Sequence, residues 1–272
     1  MTSSRSEASR RNRRETRHAG RAVRAGCALL PLLVLTACGH GGADETAHST
    51  DGAEFRTASL ARDARLVITT QGGVRVVGTD DDHVTVDDSV LAHGDDGDGG
   101  TYTLDLPCDE GDDRARDNCG GMPLVRVPAG VTLTVRARNA GIDVSDVRGG
   151  LSLSTVNGDV TVQDAGTKDA RQHLVTRNGS VRATGLKGVG VEAETVNGDV
   201  DLGCAASPGT LDGVTRNGSV RVTLPAGSPA YTTDARTVNG RSTVSVPAAE
   251  PSDPKHRLTL RTVNGDTEAR RG

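Results

Sequence analysis

From residue 131 onward, apolar residues alternate with Ser, Thr, Asp and Arg on both sides of a recurring Asn-Gly pair. Six residues before the Asn stand Leu133, Leu151, Val191, Leu211 and Leu258, and four before it Val135, Leu153, Leu174, Ala193 and Leu260. Three and five residues after it come Ile142 and Val144, Val160 and Val162, Val181 and Ala183, Val200 and Leu202, Val220 and Val222. A period of two sends successive side chains to opposite faces of an extended chain, so each segment has one apolar and one wet face. The pattern predicts two short strands per Asn-Gly pair, and no stretch after residue 40 has a long helical period.

The pair sits in a hexapeptide that recurs six times, TVNGDV or TRNGSV in its commonest forms, starting at Thr155, Thr176, Thr195, Thr215, Thr237 and Thr262. The predicted corners are Asn157-Gly158, Asn178-Gly179, Asn197-Gly198, Asn217-Gly218, Asn239-Gly240 and Asn264-Gly265, spaced by 21, 19, 20, 22 and 25 residues. A degenerate copy lies 18 residues before Asn157, at Asn139. Such a period is too short for a helical repeat and suits one short-stranded coil. Asn and Gly tolerate left-handed torsions, which a sharp corner needs. Two all-β architectures fit. In a β-helix, or solenoid, of about 20-residue coils, strands about 4.8 Å apart bring like residues into columns. In a β-meander each Asn-Gly is a two-residue hairpin turn. The near-identity of the repeats favours the solenoid, because only stacking rewards every coil for keeping the same corner.

Before the repeats the pattern changes. Residues 1–37 join an Arg-rich segment to the apolar run CALLPLLVLTA, which is too short to span a bilayer and has the layout of a secretory signal. The sequence Leu35-Thr36-Ala37-Cys38 resembles the bacterial lipobox, which predicts lipidation of Cys38. The other reading is an ordinary signal followed by a chance Cys. Residues 38–55 are small and polar and read as a flexible tether. Residues 56–130 contain short alternating segments and read as a β-rich lead-in or capping region with an acidic loop. Residues 131–272 are the repetitive β-helix.

Composition restricts the chemistry. With 35 Gly and only Phe55, Tyr102 and Tyr231 as aromatics, small aliphatic side chains must do the packing. Residues 1–37 carry eight of the basic and two of the acidic residues, leaving 24 basic against 34 acidic, a net charge of -10. That sign disfavours nucleic acid as a partner, since phosphate binding needs clustered cations. Cys108 and Cys119 enclose ten residues, and in an exported chain a disulfide is the natural reading. Cys204 is left single. The clusters Asp80–Asp82, Asp95–Asp98 and Asp109–Asp113 lack the spacing and closing Glu of a calcium loop. No His or Cys spacing indicates a metal site, and nothing calls for a cofactor. Asp159, Asp199 and Asp266 share a column that Ser180 and Ser219 interrupt, so no carboxylate pair forms. Arg177 and Arg216 then read as the charges that compensate that column.

The run VPAGVTLTVRARNAGIDVSDVRGGLSLSTVNGDVTV, followed by serial T-x-N-G-[DS]-V units, resembles the DUF4097 family of adhesin-like bacterial envelope β-helix proteins, over roughly residues 60–272. The resemblance implies a β-helix and brings no catalytic residue to carry over. The expected function is a lipid-anchored, non-catalytic, extracytoplasmic module, held to the membrane through Cys38, that binds an envelope protein or polymer. Alternatives are an accessory or sensor protein of an envelope-stress system and, third, a polysaccharide-acting enzyme. The last coil, RLTLRTVNGDTEARRG, is expected to leave an Arg-bearing strand edge able to associate weakly with a second copy.

Overall fold

The structure is a computed structural model that describes residues 49–51, 60, 61, 64–87, 92–97, 100–249 and 255–272. The predicted signal 1–37, Cys38 and most of the tether lie outside the described residues, as does Asp98. Ser49–Asp51, assigned above to the tether, forms strand β1. The lead-in holds β2 (Arg65–Thr70), β3 (Val74–Thr79), β4 (Thr85–Val86), β5 (His93–Gly97), β6 (Thr101–Leu106), helix α1 (Asp113–Gly120) and β7 (Leu124–Pro128). Then come β8 (Thr132–Arg136), β9 (Ile142–Ser145), β10 (Leu151–Ser154), β11 (Val160–Gln163), β12 (Arg171–Val175), β13 (Val181–Leu186) and β14 (Gly190–Glu194). The last are β15 (Val200–Cys204), β16 (Thr210–Val214), β17 (Val220–Leu224), β18 (Thr232–Arg236), β19 (Ser242–Ser245), β20 (Arg257–Arg261) and β21 (Thr267–Arg271).

These strands form two sheets, and each coil contributes one strand to each. The first sheet runs β1-β5-β6-β2-β8-β10-β12-β14-β16-β20-β18 and the second β19-β21-β17-β15-β13-β11-β9-β3-β7-β4. Coil-to-coil pairing is parallel throughout, for example β10 with β8 and β12, and β11 with β9 and β13. Parallel pairing rules out the meander, whose hairpins would be antiparallel. Like stacks on like: Leu133, Leu151, Gln172, Val191, Leu211 and Leu258 fall in one column. The inward columns of both sheets make one continuous core, in which Leu133, Leu153, Val160, Val200 and Leu211 are completely buried. Each buried Val or Leu contributes about 1.5–3 kcal/mol, so the core is a sum of small, regular increments.

Three expectations need correction. The lead-in is part of the solenoid, because β2 pairs parallel with β8 and β3 with β9. The loop after Cys108 runs into α1, which carries Cys119 itself and is too short to leave a period in the sequence. The last coil in the sequence is not the last in space. β20 and β21 lie between the β16/β17 coil and the β18/β19 coil, so the open edge belongs to residues 232–245. Inward polarity explains the exchange. The β18/β19 coil carries Thr233 and Ser242 in inward columns and is partly exposed along β18 and exposed throughout β19, whereas Leu258, Leu260 and Ala269 of the β20/β21 coil are fully buried. The same inversion occurs at the other end, where the β6/β7 coil lies outside β2/β3. Antiparallel β5 and β4 cover that end, and β1 covers β5.

Candidate functional surface

The corners stack into a ridge. Asn178 Nδ2 donates to Asn157 Oδ1 at 2.9 Å, and Asn197, Asn217, Asn264 and Asn239 each continue the ladder at 2.8 Å, the last two in spatial rather than sequence order. Beneath it, the buried hydroxyls of Thr176, Thr195, Thr215 and Thr262 donate to the carbonyls of Gly158, Gly179, Gly198 and Gly218, all at 2.8 Å. Gly198 has φ +150°, and a Cβ there would lie 2.0 Å from the Gly179 oxygen, so no larger residue fits. The Gly half of the corner is thus there for backbone conformation and close approach. The Asn half is not in the left-handed region; its amide builds the ladder, a role that torsion arguments alone miss.

Beside the Asn ladder runs an acid–hydroxyl ladder. Asp159 Oδ1 accepts from the Ser180 amide at 2.7 Å, Ser180 Oγ from the Asp199 amide at 3.2 Å, and Asp199 Oδ1 from the Ser219 amide at 2.8 Å. Ser219 Oγ accepts from the Asp266 amide at 3.1 Å and Asp266 Oδ1 from that of Arg241 at 2.8 Å. The spatial order Asp159, Ser180, Asp199, Ser219, Asp266, Arg241 therefore keeps an alternation that the sequence order, with Arg241 ahead of Asp266, breaks. This was the available signal for the exchanged coil. Burial opposes ionisation of Asp159, but the Ser180 amide and the Arg182 guanidinium, 2.5 Å away, together hold it below the ordinary carboxylate range.

The compensating charges are not the ones expected. Asp159 pairs with Arg182, and Arg221 reaches Asp201 at 3.2 Å and Asp199 at 3.3 Å. Arg177 and Arg216 instead lie exposed on the ridge, engaged in no ion pair among the described residues. Along the outer face of the second sheet, Arg75, Asp143, Thr161, Arg182, Asp201, Arg221 and Glu268 form one column, so opposite charges meet across neighbouring strands. The first sheet carries His173, Glu192 and Asp212 in a column, with His173 Nδ1 at 3.1 Å from Glu192. At its open end, Arg261 at 2.7 Å and Arg236 at 2.5 Å hold the Asp234 carboxyl below its usual range.

Cys108 and Cys119 are joined by a disulfide, which closes α1 against the first corner. A Cβ on Gly72 would lie 1.8 Å from the Asn118 carbonyl oxygen, so the helix caps the ridge where the Asn ladder begins. Cys204 is free, and burial pushes its thiol up to about 12, which removes it as a nucleophile at neutral pH. Tyr231 is completely buried, donates to the Pro208 carbonyl at 2.8 Å and meets the His256 ring edge-on at 5.3 Å. Asp80 pairs with Arg148 at 2.6 Å. Among the described residues no group of His, Cys, Asp and Glu could hold a metal ion, and no helix is long and apolar enough to cross a membrane.

A family model described as Toastrack DUF4097 matches residues 129–270. The chain belongs to this family. The match begins where β8 is about to start and takes in every Asn-Gly corner, so the Toastrack repeat is the stacked coil described above. The β2/β3 and β6/β7 coils, the disulfide and α1 lie outside the matched residues and extend the Toastrack solenoid. No curated protein matches the chain in sequence. A solved structure from Clostridium sporogenes, described as a candidate cell adhesion protein, is similar at 8% identity and a TM-score of 0.35, covering 78% of this chain and 94% of its own.

Proposed function

We propose that this protein is an exported module, anchored by lipid on Cys38, that holds a non-catalytic β-helix on the extracytoplasmic face of the membrane and binds an envelope protein or polymer through its columned faces. The observation that carries the reading is the register of the outer columns. Charged side chains on the second sheet answer one another across strands instead of converging on one point, an arrangement suited to an extended partner and not to a small substrate. The Cys108–Cys119 disulfide fits a chain that folds outside the reducing cytoplasm.

Replacing Cys38 with Ala is expected to move the protein from the membrane fraction to the soluble fraction. Unchanged fractionation of the Cys38→Ala protein overturns the anchor. Cross-linking of the lipidated protein in intact envelopes is expected to trap a partner through the second sheet, and Arg182→Glu with Arg221→Glu to abolish that product. Turnover of any cell-wall polysaccharide by the purified protein overturns the non-catalytic part.

A further inference from the structure

The two ends of the solenoid are built differently. At one end, antiparallel β4 and β5 lie on the outermost coil, and the chain enters there through β1. At the other, no described strand covers β18 or β19. Thr232 N donates to His256 and Arg236 O accepts from Thr262. Consecutive residues of a strand turn their amides and carbonyls to opposite neighbours, so those of Thr233 and Ala235 face outward, the Ala235 carbonyl also accepting from Ser242 Oγ at 3.2 Å and keeping a second lone pair. By the same alternation, Arg241 O accepts from Thr267, so those of Ser242 and Val244 face outward in β19. Neither strand contains a Pro or a Lys, the residues that commonly guard an edge. Val244 is 42% exposed and Val238 74%.

We infer that this open end pairs with the open end of a second copy, on a two-fold axis, and that the contact joins molecules carried on opposed surfaces. At the other end the edge strands are the short antiparallel β1 and β4, of three and two residues, a common guard against edge pairing, so the pairing is open end to open end. A two-fold axis along the sheet normal sets β18 antiparallel to its counterpart. Centred on Ala235, that pairing places Asp234 opposite the partner's Arg236 and the reverse, two complementary charge contacts in the register that the outward amides require. The entry strand β1 and the open strand β18 are the two edges of the same eleven-stranded sheet, about 48 Å apart at about 4.8 Å per strand. The 11 residues from Cys38 to Ser49 span at most roughly 38 Å. Two paired molecules therefore carry their attachment points at far ends, which suits a bridge between membranes. The contact is small, so it is weak for single molecules and gains strength from many copies on each surface.

This inference rests on surface display but not on the lipid itself, and the test separates the two. The full chain with an N-terminal histidine tag, kept from export processing, is bound to nickel-chelating vesicles whether or not Cys38 carries lipid. Vesicle clustering is read by light scattering, with bare vesicles of a second colour included. Wild-type protein is expected to cluster the vesicles that carry it and to leave bare ones out. The double variant Ala235→Pro, Val244→Pro removes two outward amides while sparing every bond to β20 and β21, and is expected to lose clustering. Asp234→Arg, which sets like charges opposite each other across the proposed axis on the exposed outer face, is expected to lose it too. Three results overturn the inference: dispersed vesicles at every wild-type density, recruitment of bare vesicles, or clustering by the variants at unchanged melting temperature.

Discussion

Gln172 interrupts a column otherwise made of Leu and Val. It is 2% exposed, its Nε2 donates to the Lys187 carbonyl at 3.2 Å, and its Oε1 is buried with no hydrogen-bond partner among the described residues. An unpaired buried acceptor costs about 1–3 kcal/mol, against about 1 kcal/mol for the bond that Nε2 makes. Gln172→Leu matches the neighbouring Leu151 and Val191 and is expected to stabilise the protein by about 1 kcal/mol, raising the Tm by about 2–4 °C in calorimetry. A lower Tm would assign Gln172 a favourable role in the core.

The corner ladder predicts a pH dependence. Burial opposes ionisation of Asp159, but the Ser180 amide and Arg182 outweigh it and hold the folded carboxyl below the ordinary carboxylate range. A depressed carboxylate stabilises the fold above its unfolded pKa, and that stability is lost as pH falls through the folded value. Melting curves of wild type and Asp159→Asn are therefore expected to differ at neutral pH and to converge below about pH 4. Much at this scale was legible in the sequence. The alternating columns located the strands and the Asn-Gly pairs located the corners, because both follow from local rules of side-chain direction and torsion. Which coil stacks on which was not, since period two is blind to the order of coils. The clues were distributed over distant residues: Thr233 and Ser242 in inward columns, and the Asp–Ser alternation that only the order Ser219, Asp266, Arg241 preserves. Helix α1 was illegible for another reason, since packing on the Gln71-Gly72 corner and a disulfide hold it, not its own periodicity.

At the scale of the molecule, both outermost coils are internal in sequence, and the coils nearest the chain's described ends are sandwiched. In a stack whose stability is a sum of neighbour contacts, a coil with two neighbours opens less readily than one with one. Hydrogen exchange is expected to protect the amides of β20 and β21 as well as those of β16 and β17, while β18 and β19 exchange first. Fastest exchange at β21 would mean that the end coil frays as sequence order alone implies. The inversion also lengthens folding, because the gap between the β16/β17 and β18/β19 coils closes only when residues 257–271 fill it.

The Asn ladder also sets a chemical lifetime. An Asn followed by Gly is the pair most open to deamidation, in which the glycine amide nitrogen attacks the Asn side chain and ammonia leaves. In the folded stack that nitrogen is held elsewhere: Gly158, Gly179 and Gly198 each donate it to the Asn carbonyl of the next coil at 2.9 Å, while the side-chain amides lock one another. Unfolding releases all the corners at once, and each one hydrolysed puts a carboxylate into a column whose neighbours are about 4.8 Å away. Mass spectrometry is expected to find five Asn-Gly sites intact after prolonged native storage, Asn239-Gly240 on the open end modified first because its glycine amide has no such partner among the described residues, and all six progressively deamidated in denaturant, with refolding yield falling as the modification accumulates. Time spent unfolded is thus recorded covalently, and a molecule that has strayed too long cannot rebuild its ridge.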